Sequence, residues 1–390
     1  MNLFIGNICL RTLLLAAAIA ITTGSQTLWA QDTIWYCGAA TNVGGKSSVK
    51  ATLRGNTLTI HGTGRMTDYT VTATPWYNSR NYIHNIVIYN YVTSIGDFAF
   101  YNLTEMTSID IPYSLTSIGN SAFFKCARVT DINLPDKLVS IGSSAFMGCS
   151  GMTYVYIPDG VKEIPANAFS GCTGLTSIII PNNLTAIGTN AFGGCKGLTS
   201  VFIPDNVTEI GMNAFGGCTG LTSINIPNNV TAINMSVFNN CSGLTEINIP
   251  NGVTTIKSMA FSGCTGLKSI AIPNGVKTIQ MNTCYGCTGL ESVIIPSSAA
   301  SIESGAFYGC TGLTAVISRN PSPPQINHTV FFGTGNNVCL YVPDGSIAAY
   351  ASANSWKDFN CVKSIGEYED AGAVAGALRA TPAQRLKENN

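Results

Sequence analysis

The sequence predicts a solenoid, a stack of similar coils sharing one continuous core, and three columns of residues predict it. Nine cysteines, Cys126, Cys149, Cys172, Cys195, Cys218, Cys241, Cys264, Cys287 and Cys310, stand 23 residues apart. Nine prolines from Pro112 to Pro296 keep the same interval, and a phenylalanine precedes the cysteine by three residues from Phe123 to Phe261. A fixed period of this length means that each coil buries its apolar face on the next. Such a chain offers extended surfaces more readily than a closed catalytic pocket.

The first segment, 1–30, reads as a signal peptide. Arg11 is followed by the apolar run Leu13 to Ile21 and a small, polar stretch ending at Ala30, where cleavage is expected. A transmembrane helix is the alternative, but the run is about half of the roughly 20 residues that spanning requires. No membrane insertion of the mature chain is expected. Cys9 precedes the apolar run and Cys37 lies well past the cut, so neither suits a lipid anchor.

Residues 31–82 break the period and read as an N-terminal β-rich cap, with alternating text from Val49 to Ile60 and Gly-Asn and Gly-Thr-Gly turns. Residues 83–318 hold about ten repeats of 23 residues. In the coil from Leu175 to Gly197, Ile178 and Ile180 point one way in an extended segment. Pro181 has no N–H for a ladder and ends the strand. Leu184 and Ile187 re-enter the core. Ala191, Phe192 and Cys195 suit one helical or 3₁₀ turn, and Gly194 and Gly197 swing the chain into the next strand. The strands are expected to form one parallel sheet from Ile83, Ile86 and Ile88 to Leu313 and Val316. After that the beat slips at Pro321, Pro323 and Pro324, and 319–366 reads as a C-terminal cap, with a strand at Val338–Val342 and a helix over Ser346–Trp356. Residues 367–390 carry no core pattern and are expected to be a linker or disordered tail.

Composition narrows the function classes. Twenty basic residues balance twenty acidic ones, giving no net charge. No basic stripe is present to displace the counterions of a phosphate backbone, so nucleic acid is excluded as a partner. Thr, Ser, Asn and Gly supply the polar surface, as is common on secreted proteins.

Several residues invite a chemical reading. Cys284-Tyr285-Gly286-Cys287 is a CxxC, the pattern of a redox pair or half a zinc site. Cys287 belongs to the cysteine column, however, and Cys284 fills the slot of Phe261 and Phe307, which makes both packing residues. Stacked disulfides along the column fail on geometry: parallel side chains leave Cβ atoms about 5 Å apart, against the roughly 3.5–4.5 Å a disulfide requires. Free, buried thiols are expected there, and Leu103 in the same slot of the first coil agrees. The three histidines, His61, His84 and His328, lie too far apart for a triad or a metal cluster. Glu163 and Glu209 share a column two coils apart and read as a solvated edge. No catalytic residue, metal ligand or cofactor is expected.

The repeat L-x-x-I-x-I-P-x-x-L-x-x-I-G-x-x-A-F-x-x-C-x-G closely resembles that of the BspA-like leucine-rich-repeat family of secreted and surface proteins. Leu58-Thr59-Ile60 with Gly62 to Met66 looks like its N-terminal cap, and Val342-Pro343 with Tyr350, Trp356 and Phe359 like its closing segment. The resemblance implies an α/β-type leucine-rich-repeat solenoid. A curved parallel β-sheet would lie on the concave face, with short helical or 3₁₀ turns and loops on the convex side. It also implies adhesion to host matrix proteins or to other microbes, and no catalysis; the partner expected is a host matrix protein, another surface protein or a glycan.

On that reading the concave positions are the second and fourth residues after each leading Leu. Most are Ser, Asn or Asp, with Asp110 and Asp131 making a small acidic spot. Tyr154, Tyr156, Ile179 and Phe202 depart from this and form an exposed cluster on three neighbouring coils, the candidate ligand-binding site. Cross-strand packing alone is the competing explanation. The expected function is a monomeric, secreted or cell-surface, non-catalytic binding protein, an adhesin or host-interaction factor. A passive scaffold for another module is the alternative, and a carbohydrate-active β-solenoid enzyme comes third, since clustered carboxylates are missing from the columns.

Overall fold

The computed structural model describes residues 33–39 and 48–370. The signal-peptide assignment and the tail beyond residue 370 fall outside the described residues.

Each coil contributes three segments, and each segment has its own hydrogen-bonded ladder to the neighbouring coils. The first is the strand column, including Ser108–Asp110, Tyr154–Tyr156, Ser177–Ile179, Ser269–Ala271, Ser292–Ile295 and Ala315–Ser318. Neighbours pair in parallel at a shift of one coil, Val155 opposite Ile178 and Ile270 opposite Val293. The expected single sheet is interrupted, however. Pairing falls to isolated bridges at Asp131–Tyr154 and Asn225–Asn248. At one break the Asn225 side chain takes over the bonding of the backbone. Its Oδ1 accepts from the Ile203 N–H at 2.8 Å, and its Nδ2 donates to the Ile203 carbonyl at 2.7 Å.

A second ladder follows the proline turn and was not expected from the sequence as strand. Glu163–Ile164, Ala186–Ile187 and Glu209–Ile210 pair in parallel, as do Thr278–Ile279 and Ser301–Ile302. The isoleucines enter the core as expected. Strands this short cannot show an alternating pattern in sequence.

The third segment is the turn carrying Ala, Phe and Cys. Within it, N–H groups bond three residues back: Ala191 to the Gly188 carbonyl, Cys195 to the Phe192 carbonyl. Between coils the direction is forward, with the N–H groups of Asn190, Phe192 and Gly194 donating to the carbonyls of Met212, Ala214 and Gly216 at 2.7–2.8 Å. This needs a left-handed residue at Asn190 (φ 56°) and another at Gly194 (φ 73°), which Asn and Gly adopt most cheaply. The asparagines also bond one another: Asn213 Nδ2 donates to Asn190 Oδ1, and Asn190 Nδ2 to Asn167 Oδ1, both at 2.7 Å. A Cβ at Gly193 would meet Asn190 Oδ1, so a side chain there would have to displace the Asn190 amide from its ladder.

The phenylalanines fill the centre. Phe123, Phe146, Phe169, Phe192, Phe215, Phe238 and Phe261 are fully buried and stacked at centroid separations of 5.3–6.0 Å. At one end Phe100 continues the column and Trp76 stacks on it at 6.0 Å. Beside it, Thr33–Tyr36, Lys50–Arg54 and Thr57–His61 pair antiparallel, and Thr57–His61 joins Asn85–Ile88 in parallel.

At the other end Cys339–Val342 and Cys361–Ser364 extend the strand column in parallel, and a disulfide links Cys339 to Cys361. The sequence left the state of these two cysteines open. The helix expected over Ser346–Trp356 spans only Ile347–Ser352, because the backbone turns extended at Ala353 (ψ 140°) and ends it. A short helix, Ile365–Asp370, follows the disulfide-bonded strand and takes in the first residues of the segment 367–390.

Candidate functional site

The geometry of the strand column decides which side chains meet solvent. Val155, Ile178 and Val201 point into the core and are buried, so the residues on either side of them point out. Tyr154 lies opposite Ser177, and Tyr156 opposite Ile179. Tyr154, Ile179 and Phe202 are 43%, 47% and 64% exposed, and Tyr156 is half-buried. The structure therefore brings the four residues singled out in the sequence onto one face of three successive coils. Phe202 lies one residue past the strand Ser200–Val201, which leaves its ring the most open of the four.

The surroundings of this patch are acidic. Burial first, and then the nearby carboxylates of Asp159 and Asp136, push the Tyr156 hydroxyl above its ordinary value. Asp131 bridges to Tyr154 and accepts a hydrogen bond from Thr130 Oγ1 at 2.9 Å.

The candidates for reactive chemistry separate. Cys284 and Cys287 are both fully buried and not disulfide-bonded. The hydrogen bond with Cys287, then burial, raise the Cys284 thiol far above its ordinary value, the reverse of what a redox-active or metal-binding thiol requires. Glu163 and Glu209 stand on either side of Ala186 in the second ladder. Among the described residues no group of three or more His, Cys, Asp or Glu is placed to hold a metal ion. Among them, too, no helix is long and apolar enough to cross a membrane.

Exposed features that the sequence reading did not single out lie on the turn side. The residue after each Phe slot forms an outer column, in which Tyr101 stacks on Phe124 at 4.8 Å and Tyr285 on Tyr308 at 5.0 Å. Met212, Met235, Met259 and Met281 are exposed on four successive coils. Tyr89, Tyr91 and Tyr113 stand exposed just beyond the first strands. The repeat contained the signal: Met212, Met235 and Met281 stand at multiples of one period, in a column of their own.

A stack of parallel strand-and-turn coils with a phenylalanine spine and an unbroken hydrophobic core is a leucine-rich-repeat solenoid. The family model described as the BspA type leucine rich repeat region, in six copies, matches residues 73–199 and 185–314. The chain belongs to that family. Among solved structures it is similar to a leucine rich cell surface protein from Faecalibacterium prausnitzii A2-165, at 24% identity and a TM-score of 0.50, over 84% of this chain and 94% of that one. It is also similar to a leucine-rich repeat protein from Eubacterium ventriosum, at 23% identity and a TM-score of 0.50, over 78% and 95% of the two chains. These likenesses establish the fold. No match is found among curated proteins.

Proposed function

We propose that this chain is an exported, non-catalytic binding protein of the cell surface or the surrounding medium, acting as an adhesin or host-interaction factor. Its contact surface is the outward face of the strand column at Tyr154, Tyr156, Ile179 and Phe202. The observation that carries this reading is the exposure of three large apolar side chains on neighbouring coils of a face made mostly of Ser, Asn and Asp. Folding alone gives no reason to leave that area in water, and exposed aromatic clusters supply much of the energy of protein and glycan interfaces. Export is supported by the apolar run near the start of the chain and by the cell-surface description of the Faecalibacterium protein. The buried, acid-weakened thiols and the dispersed carboxylates and histidines favour binding over catalysis.

The partner is a host matrix protein, another surface protein or a glycan that sets apolar area against Tyr154 and Phe202 and tolerates the neighbouring carboxylates. The test is recovery of matrix proteins and glycans by the full chain and by a Tyr154→Ala/Phe202→Ala variant. Loss of recovery by at least tenfold with the variant supports the assignment. Equal recovery by both removes the patch from the interface and favours a scaffold.

A further inference from the structure

Two aromatic columns run side by side through the last coils, and they end differently. In the inner column Phe331 stacks on Phe307 at 5.4 Å and is then covered by Phe359, edge-on at 5.2 Å, and by Trp356 at 5.7 Å. In the outer column Tyr285, Tyr308 and Phe332 stack in turn at 5.0 and 5.4 Å. Among the described residues no ring follows Phe332, which is 57% exposed. Between Phe332 and the segment Ser355–Asn360 lies an open cleft of about 290 Å³ lined by both.

The polar lining of that cleft comes from separate segments. Asn336 enters from the loop before Cys339, and Asp358 and Asn360 from the stretch between the last helix pair. All three side chains are exposed, and none takes part in a hydrogen bond or ion pair among the described residues. Neither Lys nor Arg lines the cleft, and His328 is the one lining residue that can carry positive charge. An aromatic face that ends a stack, bordered by two free amides and one carboxylate, matches a specific chemistry. One side of a pyranose presents C–H groups, which suit the negative face of an aromatic ring. Its rim presents hydroxyls that both donate and accept, which amides and carboxylates satisfy in pairs. A phosphate or sulfate would meet Asp358 with no permanently charged Lys or Arg to offset it. An apolar peptide would strip water from the amides without replacing their hydrogen bonds.

We propose that this cleft is a binding site for a neutral saccharide. One pyranose ring lies on the open face of Phe332, and its hydroxyls are held by Asn336, Asp358 and Asn360. Tyr308 and Tyr285 back the Phe332 ring from behind and fix its orientation. The site lies on the turn side at the end of the solenoid, and it stands or falls separately from the Tyr154 patch.

The experiment is saturation-transfer NMR on the full chain with lactose, cellotriose, chitotriose and mannotriose as neutral probes and 3′-sialyllactose as the anionic one. Transfer to at least one neutral probe is expected, with affinity at least tenfold weaker in Phe332→Ala and several-fold weaker in Asn360→Ala. Each substitution is also made in the Tyr154→Ala/Phe202→Ala background, so that transfer lost with Phe332→Ala there reports this cleft and not the strand face. Phe332 is exposed, so an unchanged melting temperature certifies the fold of its variant. Absence of transfer to every neutral probe, binding of 3′-sialyllactose alone, or equal transfer in wild type and Phe332→Ala would overturn the proposal.

Discussion

The thiol of Cys195 donates to the backbone carbonyl of Phe169 in the preceding coil, at 3.1 Å and 26 residues away in the sequence. The same bond recurs from Cys126 to Phe100 and from Cys264 to Phe238, at 3.1–3.2 Å. The Phe carbonyl already accepts the N–H of the cysteine in its own coil, Cys172 to Phe169 at 3.1 Å. The thiol therefore satisfies its second lone pair and ties two coils together. This gives the column a reason to hold cysteine in particular, beyond filling a small apolar slot.

Replacing Cys195 by Ala removes that bond and leaves a small void. The expected loss is about 1–2 kcal/mol, from a net hydrogen bond and the lost sulfur contacts. Urea unfolding of wild type and Cys195→Ala measures it. A difference below about 0.3 kcal/mol, smaller than one weak hydrogen bond, would show that the contact contributes nothing.

Burial raises the Cys218 thiol from 9.0 to about 12, and burial acts likewise on Cys126. Once unfolded, these thiols ionise near their ordinary value, so above pH 9 the unfolded chain releases protons that the folded chain keeps. Stability is then complete below about pH 9 and falls as pH rises toward 12. Denaturation midpoints at pH 7, 8, 9.5 and 10.5 should be flat at first and then decline. The decline should be shallower in Cys218→Ala by about 1.4 kcal/mol per pH unit, the weight of one proton. Identical slopes would mean that Cys218 is not held protonated.

The Cys339–Cys361 disulfide closes a loop of sequence separation 22 at the end of the stack. A loop of this size restricts the unfolded chain by about 3 kcal/mol. In a solenoid each coil answers to its neighbours, so the loss on breaking it should be concentrated at that end. Hydrogen exchange on the Cys339→Ser/Cys361→Ser variant should show faster exchange over Cys339–Ser364, with the coils before Phe261 unchanged. Uniform acceleration along the chain would refute a local role.

Four exposed methionines, Met212, Met235, Met259 and Met281, contrast with buried Met66, Met106 and Met152. Thioether oxidation by peroxide follows access. Peptide mapping after graded hydrogen peroxide should find sulfoxide on the exposed four first, and the buried three should react only once the chain unfolds. Equal rates in both groups would contradict the packing described here.

Much of the fold was legible in the repeat because lateral contacts in a solenoid join residues one period apart. Knowing that Phe169 precedes Phe192 by 23 places was enough to stack them, and alternation about Val155 was enough to turn Tyr154 and Tyr156 outward. The candidate patch was read the same way. The second ladder was not legible, since a two-residue strand such as Ala186–Ile187 carries no periodicity of its own. Nor was the break at Asn225, where a side chain replaces backbone bonding that the repeat alone implies should continue.

The sequence by itself determined the period, the spine of Phe and Cys, and the outward residues, because every coil meets an almost identical coil. Tertiary structure alone decided what happens where that identity ends. It paired Cys339 with Cys361, which a one-coil slip brings opposite each other in neighbouring strands. It covered Phe331 with Trp356 and Phe359 and left Phe332 open. Those pairings depend on how the last segments fold back on the stack, and no periodic pattern encodes contacts that occur only once.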